Sequence, residues 1–234
     1  MAQYELKLAH LYGNLLNTYG DLGNIMALKY YGQLLDIEVT SQIISVGNDF
    51  KAADFDLIVL GAGQKYEQSI VLEDIPTKKD ELHAFIEAGK PMLAVGEGFQ
   101  LLGQSYYDQH QAKVAGAGLL SHHSELPANG EPIQGDLVIK TAAGLEFHGH
   151  ENHDLETFLG ADQTALGTVV TGTGNNRTDQ SEGAIYNHTF CTNLHTVLDQ
   201  NGELAKQMLL IALANKYPDA DLTPQEQVII EPTY

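Results

Sequence analysis

The chain has 234 residues, 43% of them hydrophobic and 18% charged, which is enough apolar material for one large core. Its 31 acidic residues outweigh 12 basic ones, and the net charge of −19 disfavours nucleic acid and anionic membrane surfaces as partners. The sequence shows neither a signal-peptide pattern nor a stretch apolar enough for membrane insertion. Together with a single cysteine, Cys191, these features predict a cytoplasmic protein.

The first half of the chain alternates strand and helix patterns, an order that builds a mostly parallel sheet with helices on both faces. Helices are predicted over residues 21–35 and 77–89, with Asp21 and Thr77 as their N-caps. Four strands are predicted from apolar runs, at residues 4–12, 37–46, 55–63 and 91–95. The expected fold is therefore a three-layer α/β sandwich.

From about residue 114 the pattern changes to short strands with turn signals, closed by a helix over residues 202–217. The strands are predicted at residues 115–120, 135–140, 144–153, 164–170 and 182–195. They predict an antiparallel extension of the same sheet. We expect one domain over residues 1–217 and an acidic tail over 218–234 that lies on the surface or reaches a partner.

Nucleotide-binding motifs are missing from the sequence. There is no phosphate-binding loop, and each Gly-x-Gly lacks the third glycine of a dinucleotide site, so no cofactor is expected. His148, His150 and His153 could hold a metal ion, because residues two apart on a strand share a face. We favour the alternative, in which these are polar histidines that line a cleft or the surface.

The segment PMLAVGEGFQLLG, residues 91–103, has the pattern of a nucleophile elbow, in which a buried strand turns through glycines into an apolar helix. Such an elbow holds its central residue at positive φ at the carboxyl end of the sheet, where the helix N-terminus lowers the pKa of a thiol. Here the central residue is Gly96, which has no side chain.

Seven segments, in this order and spacing, resemble the glutaminase subunits of lipid II isoglutaminyl synthase, which belong with the cobyric-acid-synthase-like class I glutamine amidotransferases. They are residues 12–29, 60–64, 91–103, 135–139, 149–153, 172–176 and 191–195. The resemblance spans nearly the whole chain and implies an amidotransferase fold. It also implies that glutamine is hydrolysed and that ammonia passes to a Mur-ligase-like, ATP-using partner, which amidates the D-glutamate of the peptidoglycan stem peptide.

In that family the elbow reads Cys-Gly-Gly-aromatic-Gln-Leu-Leu-Gly, so the resemblance places Gly96 at the nucleophile position. The family's catalytic histidine matches His195. An aspartate in the first loop matches Asp21, which either orients that histidine or only caps its own helix. The arginine with which the family meets its substrate is missing, and its equivalent is about Pro132.

The resemblance also implies a substrate cleft lined by Gly63, Gln100 and His195, with glutamine as the candidate ligand. Glu97 follows the nucleophile position, where the family is expected to use the backbone N–H in its oxyanion hole. Its carboxylate either points there and repels an oxyanion, or faces solvent at a helix start. Cys191 stands four strand residues before His195, roughly 13 Å away, so it is interpreted as a core residue rather than as a substitute nucleophile.

Three interpretations follow from the sequence. The preferred one is a naturally diverged amidotransferase-like subunit, impaired in glutamine hydrolysis, that keeps a role with a Mur-ligase-like partner. The second is an active glutaminase subunit that has been altered at the nucleophile. The third is a non-catalytic module that has reused the same cleft to bind a small molecule.

Overall fold

The computed structural model describes residues 2–230, and the element bounds below apply to that range. The strands are β1 (Tyr4–Leu11), β2 (Ile37–Ile44), β3 (Leu57–Leu60), β4 (Met92–Val95), β5 (Ser105–Tyr107), β6 (Lys113–Ala115), β7 (His123–Glu125), β8 (Ile133–Lys140), β9 (Glu146–His153), β10 (Glu156–Phe158), β11 (Gly167–Thr171), β12 (Ser181–Glu182), β13 (Ala184–Tyr186), β14 (Thr189–Thr192) and β15 (Leu194–His195). The helices are α1 (Leu22–Leu34), α2 (Lys65–Asp74), α3 (Lys79–Glu87), α4 (Glu97–Leu102), α5 (Val197–Gln200), α6 (Gly202–Lys216) and α7 (Thr223–Glu226).

The main sheet of the described chain has six strands in the order β13-β14-β4-β3-β1-β2. All its neighbours are parallel except β13, which pairs antiparallel with β14. Strands β3 and β4 are buried along their whole length, as expected for parallel strands covered on both faces.

Alternate residues of β3 belong to two separate apolar clusters, one on each face of the sheet. Leu57 and Val59 pack in the cluster that includes residues of α1 and α6, whereas Ile58 and Leu60 pack in the one that includes residues of α2, α3 and α4. Since successive side chains of a strand point to opposite faces, the sheet carries helices on both sides. The predicted three-layer α/β fold is confirmed.

The second half was predicted to extend the main sheet as antiparallel strands. Of the described strands in this half, only β13 and β14 join that sheet, and β14 pairs parallel with β4. Strands β12, β11, β8, β9 and β15 form a separate five-stranded sheet in that order. Strand β15 enters it by pairing antiparallel with β9, at Leu194 with Glu151 and at His195 with His150. The chain therefore leaves the main sheet at the end of β14 and joins the second sheet two residues later.

Two local predictions about these elements were wrong, and one helix was missed. Thr77 is not an N-cap, because it lies in a 3₁₀ turn over residues 75–78 and its hydroxyl donates to the Asp74 carbonyl, while α3 begins at Lys79. Residues 116–120 are loop rather than strand. Helix α2 was not predicted at all, because its low overall hydrophobicity hides the few positions, such as Val71, that it buries.

The division of the chain at residue 217 stays a prediction. The described part of the tail packs on the domain, since Ile230 joins the core and the Lys206 ammonium donates to the carbonyls of Glu226 and Val228. The last four positions lie outside the described residues. No helix within residues 2–230 has both the length and the apolar character that a bilayer crossing needs.

Candidate functional site

The predicted elbow forms at the carboxyl end of β4. Gly96 has φ 53° and ψ −117°, its N–H donates to the Thr192 carbonyl at 2.9 Å, and α4 starts at the next residue. Positive φ favours glycine, because a Cβ would clash with the backbone. Two residues on, a Cβ at Gly98 would lie 2.6 Å from the Gly61 carbonyl oxygen, so the elbow and the loop after β3 touch through their backbones.

His195 lies directly against the elbow. A Cβ built at Gly96 would stand 3.3 Å from His195 Cε1, 4.0 Å from His195 Nε2 and 3.0 Å from the Ala62 Cβ. A side chain one atom longer would reach the imidazole edge, which is the separation that a nucleophile and its base need. The structure thus brings together the two positions that the sequence assigned to nucleophile and base.

The imidazole of His195 is buried and electrically neutral. Neither ring nitrogen has a hydrogen-bond partner, and burial lowers the pKa of His195 to about 4. The nearby backbone of Asn152 partly offsets that fall without reaching hydrogen-bond geometry. The Tyr19 ring covers one face at a centroid distance of 4.5 Å. At neutral pH this histidine is a base with nothing beside it to deprotonate.

The buried carboxylate of Glu182 accepts hydrogen bonds from the residues that precede His195. Glu182 accepts hydrogen bonds from the Thr192 hydroxyl at 2.6 Å, the Asn193 N–H at 2.8 Å and the Asn193 side-chain amide at 3.0 Å. Asn175, from the 172–176 segment, joins the same network through the Asn193 amide. These bonds fix the turn between β14 and β15 and so the direction in which His195 points.

Glu97 is buried, with only 6% of its surface exposed, so the solvent-facing interpretation was wrong. Burial raises the pKa of its carboxyl from 4.5 to about 7, while the backbone N–H groups of Glu97 itself and of Gly63 face the carboxylate and lower it. Two backbone N–H groups that converge beside a nucleophile position have the arrangement of an oxyanion hole. In this chain they face a carboxylate that the chain itself supplies.

Two buried glutamines lie beside Glu97: Gln100, which the sequence analysis assigned to the cleft, and Gln68, which it did not. The Gln68 amide donates to the Glu97 carbonyl and to Gln100 Oε1, both at 3.3 Å, and both glutamines are buried. Gln68 lies on α2, the helix that the sequence did not reveal. Beside the site, Lys65 at the start of α2 pairs with Asp154 at 2.7 Å.

Asp21 neither caps α1 nor contacts His195 through a hydrogen bond. Its carboxylate accepts from the Ala62 N–H at 2.6 Å and from the Asn24 side chain at 3.2 Å, and no side-chain cap bond forms. Burial raises the pKa of Asp21 to about 6. The aspartate thus holds the loop that follows β3, next to the elbow, and its assignment as the orienter of His195 has no support in the contacts.

An arginine from another part of the chain contacts Pro132, the position at which the family's arginine is missing. Pro132 offers its carbonyl to Arg177, the only arginine of the sequence, whose guanidinium also donates to the Glu131 carbonyl and to Glu156 at 2.9 Å. The guanidinium is thus held by these protein acceptors. Pro132 itself brings no donor to the site.

The three histidines of the 148–153 segment do not converge. His150 faces Asp136 at the surface at 3.6 Å, and buried His153 faces Glu151 at 3.7 Å. Within the described chain no group of three or more His, Cys, Asp or Glu side chains is placed to hold a metal ion. Cys191 is fully buried in β14, and burial raises its thiol pKa far above the usual range, in agreement with a core residue.

Fold and site define an amidotransferase-like α/β protein, with an elbow, a facing histidine and converging N–H groups. The chain belongs to the CobB/CobQ-like glutamine amidotransferase family, whose domain matches residues 7–203. It is 40% identical over 229 residues to the lipid II isoglutaminyl synthase (glutamine-hydrolyzing) subunit GatD of Streptococcus pneumoniae, covering 97% of this chain and 88% of that one. It is 31% identical over 214 residues to GatD of Staphylococcus aureus, covering 91% and 86%.

Solved structures agree with the fold. A crystal structure of a glutamine amidotransferase superimposes with a TM-score of 0.53 at 16% identity, covering 87% of this chain and 98% of that one. The glutaminase domain of Trypanosoma brucei CTPS with bound acivicin gives a TM-score of 0.55 at 11% identity, covering 94% and 97%. At such identities the likeness concerns the fold alone.

The site predicts how a cysteine at the elbow will behave. We expect the thiol of Gly96→Cys to react with iodoacetamide at pH 7 at least about tenfold faster than buried Cys191. The neighbouring His195 imidazole can accept the proton of this thiol and so favours the reactive thiolate. Peptide mass spectrometry of the folded protein measures both rates, with the unchanged chain as the control for Cys191. Equal rates would place the elbow elsewhere.

Because the Glu97 carboxyl is buried, we expect the free energy of unfolding to depend on pH. Its pKa rises from 4.5 to about 7 on folding, so between these values the folded chain binds more protons and the free energy of unfolding falls as pH rises. At about 1.4 kcal/mol per pKa unit, the ionised carboxylate costs on the order of 3 kcal/mol above pH 7. Glu97→Gln should therefore unfold at higher urea than the native chain at pH 8, and at a similar concentration at pH 4. Parallel pH profiles for the two proteins would contradict the buried carboxylate.

Proposed function

We propose that this chain is an amidotransferase-like subunit that works with an ATP-dependent, Mur-ligase-like synthetase in amidating the D-glutamate of lipid II, and that it does not itself hydrolyse glutamine. The GatD relatives, which align over nearly the whole chain, support the subunit role. The observation that supports the loss of hydrolysis is Gly96, because this residue has no side chain to present a nucleophile to the His195 ring.

Cys191, the only thiol of the sequence, does not take over as the nucleophile. Cys191 pairs with Ala94 of β4, two residues before the elbow, and its thiol stays protonated because it is buried. Covalent hydrolysis of an amide needs an ionised or base-activated nucleophile within about 3 Å of the base. The only thiol of the chain meets neither condition.

Glu97 is a second obstacle to hydrolysis. The N–H groups of Gly63 and Glu97 that would stabilise a tetrahedral oxyanion already face a carboxylate of the same charge. Loss of one oxyanion-hole donor alone typically costs about 10²–10³ in rate. A replaced nucleophile in an otherwise intact glutaminase accounts for Gly96 but not for Glu97 or Pro132, and for this reason we favour divergence of the whole site.

A subunit without nucleotide motifs needs a partner to drive amidation, and α1 offers a surface for one. Leu22, Met26, Tyr30 and Leu34 are 47–64% exposed, and their spacing of four places them in one row, which we call the α1 row. The opposite side of α1 packs on the core through Ile25 and Leu28.

The α1 row starts at the active-site end of the helix. Leu22 follows Asp21, whose carboxylate holds Ala62, and Ala62 in turn borders the Gly96 position. A synthetase that works together with this site must dock beside it. We therefore assign the α1 row to the synthetase subunit, which would present an apolar surface with basic surroundings to match the net charge of −19.

The chain should release no ammonia from glutamine above background, because no thiolate forms at the elbow. A coupled ammonia assay of the purified chain, alone and with the co-encoded synthetase, measures this. His195→Ala is the matched control, since it removes the base. Turnover in the unchanged chain that disappears in His195→Ala would show that a nucleophile exists elsewhere in the site.

The α1 row makes a separate prediction about assembly. Met26→Glu places a charge in the centre of the row and should weaken binding to the synthetase at least about tenfold, as charge burial at an interface core does. Val170→Glu changes an equally exposed apolar residue on β11 and serves as the control. Surface plasmon resonance with immobilised synthetase measures both. Unchanged affinity in Met26→Glu, with Val170→Glu also unchanged, would exclude α1 as the docking surface.

A further inference from the structure

Several buried acceptor atoms around the elbow have no hydrogen-bond partner. They are Glu97 Oε2, Gln68 Oε1 and both ring nitrogens of His195, one of which is an acceptor in the neutral ring. Each of these side chains is only 1–6% exposed. A buried polar atom without a partner costs free energy, and native structures rarely keep a group of them together without a role.

The side chains that carry these acceptors meet at one turn of the chain. Glu97 follows Gly96 directly, the Gln68 amide donates to the Glu97 backbone carbonyl at 3.3 Å, and the His195 ring stands 3.3 Å from a Cβ at residue 96. The Tyr19 ring, which stacks on His195, adds an aromatic face next to them. Gly96 itself contributes no side chain to the group.

The charge of the group is negative. Glu97 is its one carboxylate, the His195 ring is neutral, and neighbouring Asp154 is compensated by Lys65 at 2.7 Å. A matching ligand is a small cation of single charge that donates hydrogen bonds. Alkali ions prefer oxygen ligands, whereas an ammonium ion donates to carboxylate, amide and imidazole acceptors alike and is also attracted by an aromatic face.

We propose that Glu97, His195 and Gln68 form a binding site for the ammonium ion at the position of the lost nucleophile. The proposal rests on the proposed function, because it gives a subunit without a glutaminase reaction a nitrogen species to pass to its partner. The carboxylate that opposes an oxyanion attracts ammonium. The presence of Glu97 at this one position therefore changes the charge that the site prefers from negative to positive. Glu97 is then a ligand-binding residue and not only an obstacle.

Binding is tested on the isolated chain by thermal unfolding at pH 8 in NH4Cl, KCl or NaCl at equal ionic strength. We expect NH4Cl at ten times its dissociation constant to raise the Tm about 2–4 °C above the KCl value, as one bound ligand does for a chain of this size. Potassium is the control for size, since it has a similar radius and no hydrogen to donate. An equal shift in KCl would overturn the proposal in favour of a general cation site.

Two variants locate the ion. Glu97→Gln keeps the shape of the side chain and removes the charge, so the difference between NH4Cl and KCl should vanish. Glu73→Gln makes the same change at an exposed position of α2 and should keep it. If the difference between NH4Cl and KCl persists in Glu97→Gln, the ion binds elsewhere. If the native chain shows no such difference, water alone satisfies the acceptors and the proposal is wrong.

The role of the site is tested separately by the dependence of lipid II amidation on NH4Cl in the assembled complex. The native complex should need less NH4Cl for half-maximal rate than the Glu97→Gln complex, by about tenfold or more for one lost ion pair in a buried site. Ammonium binding without any amidation would contradict the proposed function and leave the binding site intact. Amidation without a difference between the two complexes would contradict the ammonium site.

Discussion

The parallel pairing of β3 with β4 is the constraint on which the rest of the site depends. Its register, Ile58 with Met92 and Leu60 with Ala94, makes the two strands end together. The loops that follow them therefore meet, and they approach so closely that a Cβ at Gly98 would lie 2.6 Å from the Gly61 carbonyl. The hydrogen bond that the Ala62 N–H donates to the Asp21 carboxylate holds the same loop from the other side.

The scaffold does not depend on a side chain at residue 96. Glycine adopts the positive φ of the elbow without strain, so loss of the nucleophile leaves the geometry of the turn intact. The backbone N–H groups of Gly63 and Glu97 both face the Glu97 carboxylate, and the bonds of Glu182 fix the turn that carries His195. Under the proposed function, this buried carboxylate opposes a developing oxyanion.

The sequence predicted the layers of the fold, because apolar periodicity reports on buried elements, whereas the pairing of Gly96 with His195 was implied only by the family resemblance. It did not reveal α2, whose weak apolar pattern hides both the helix and Gln68. The direction of the Glu97 side chain could not be predicted either, since a helix start can point a carboxylate to solvent or back onto its own N–H. Asp21 looked like an N-cap, and only the tertiary contact with Ala62 shows where its carboxylate binds.

The central claim is that Gly96 stands at the nucleophile position and that Glu97 blocks the N–H groups beside it. Labelling by 6-diazo-5-oxo-L-norleucine, a glutamine analogue that alkylates an activated thiol, tests both parts together when intact mass counts the adducts and peptide mass spectrometry locates them. The account predicts a single adduct at residue 96 in the Gly96→Cys, Glu97→Gly double variant, and little or none in Gly96→Cys alone or in the native chain. Equal labelling of the single and double variants, or an adduct on Cys191, would contradict it.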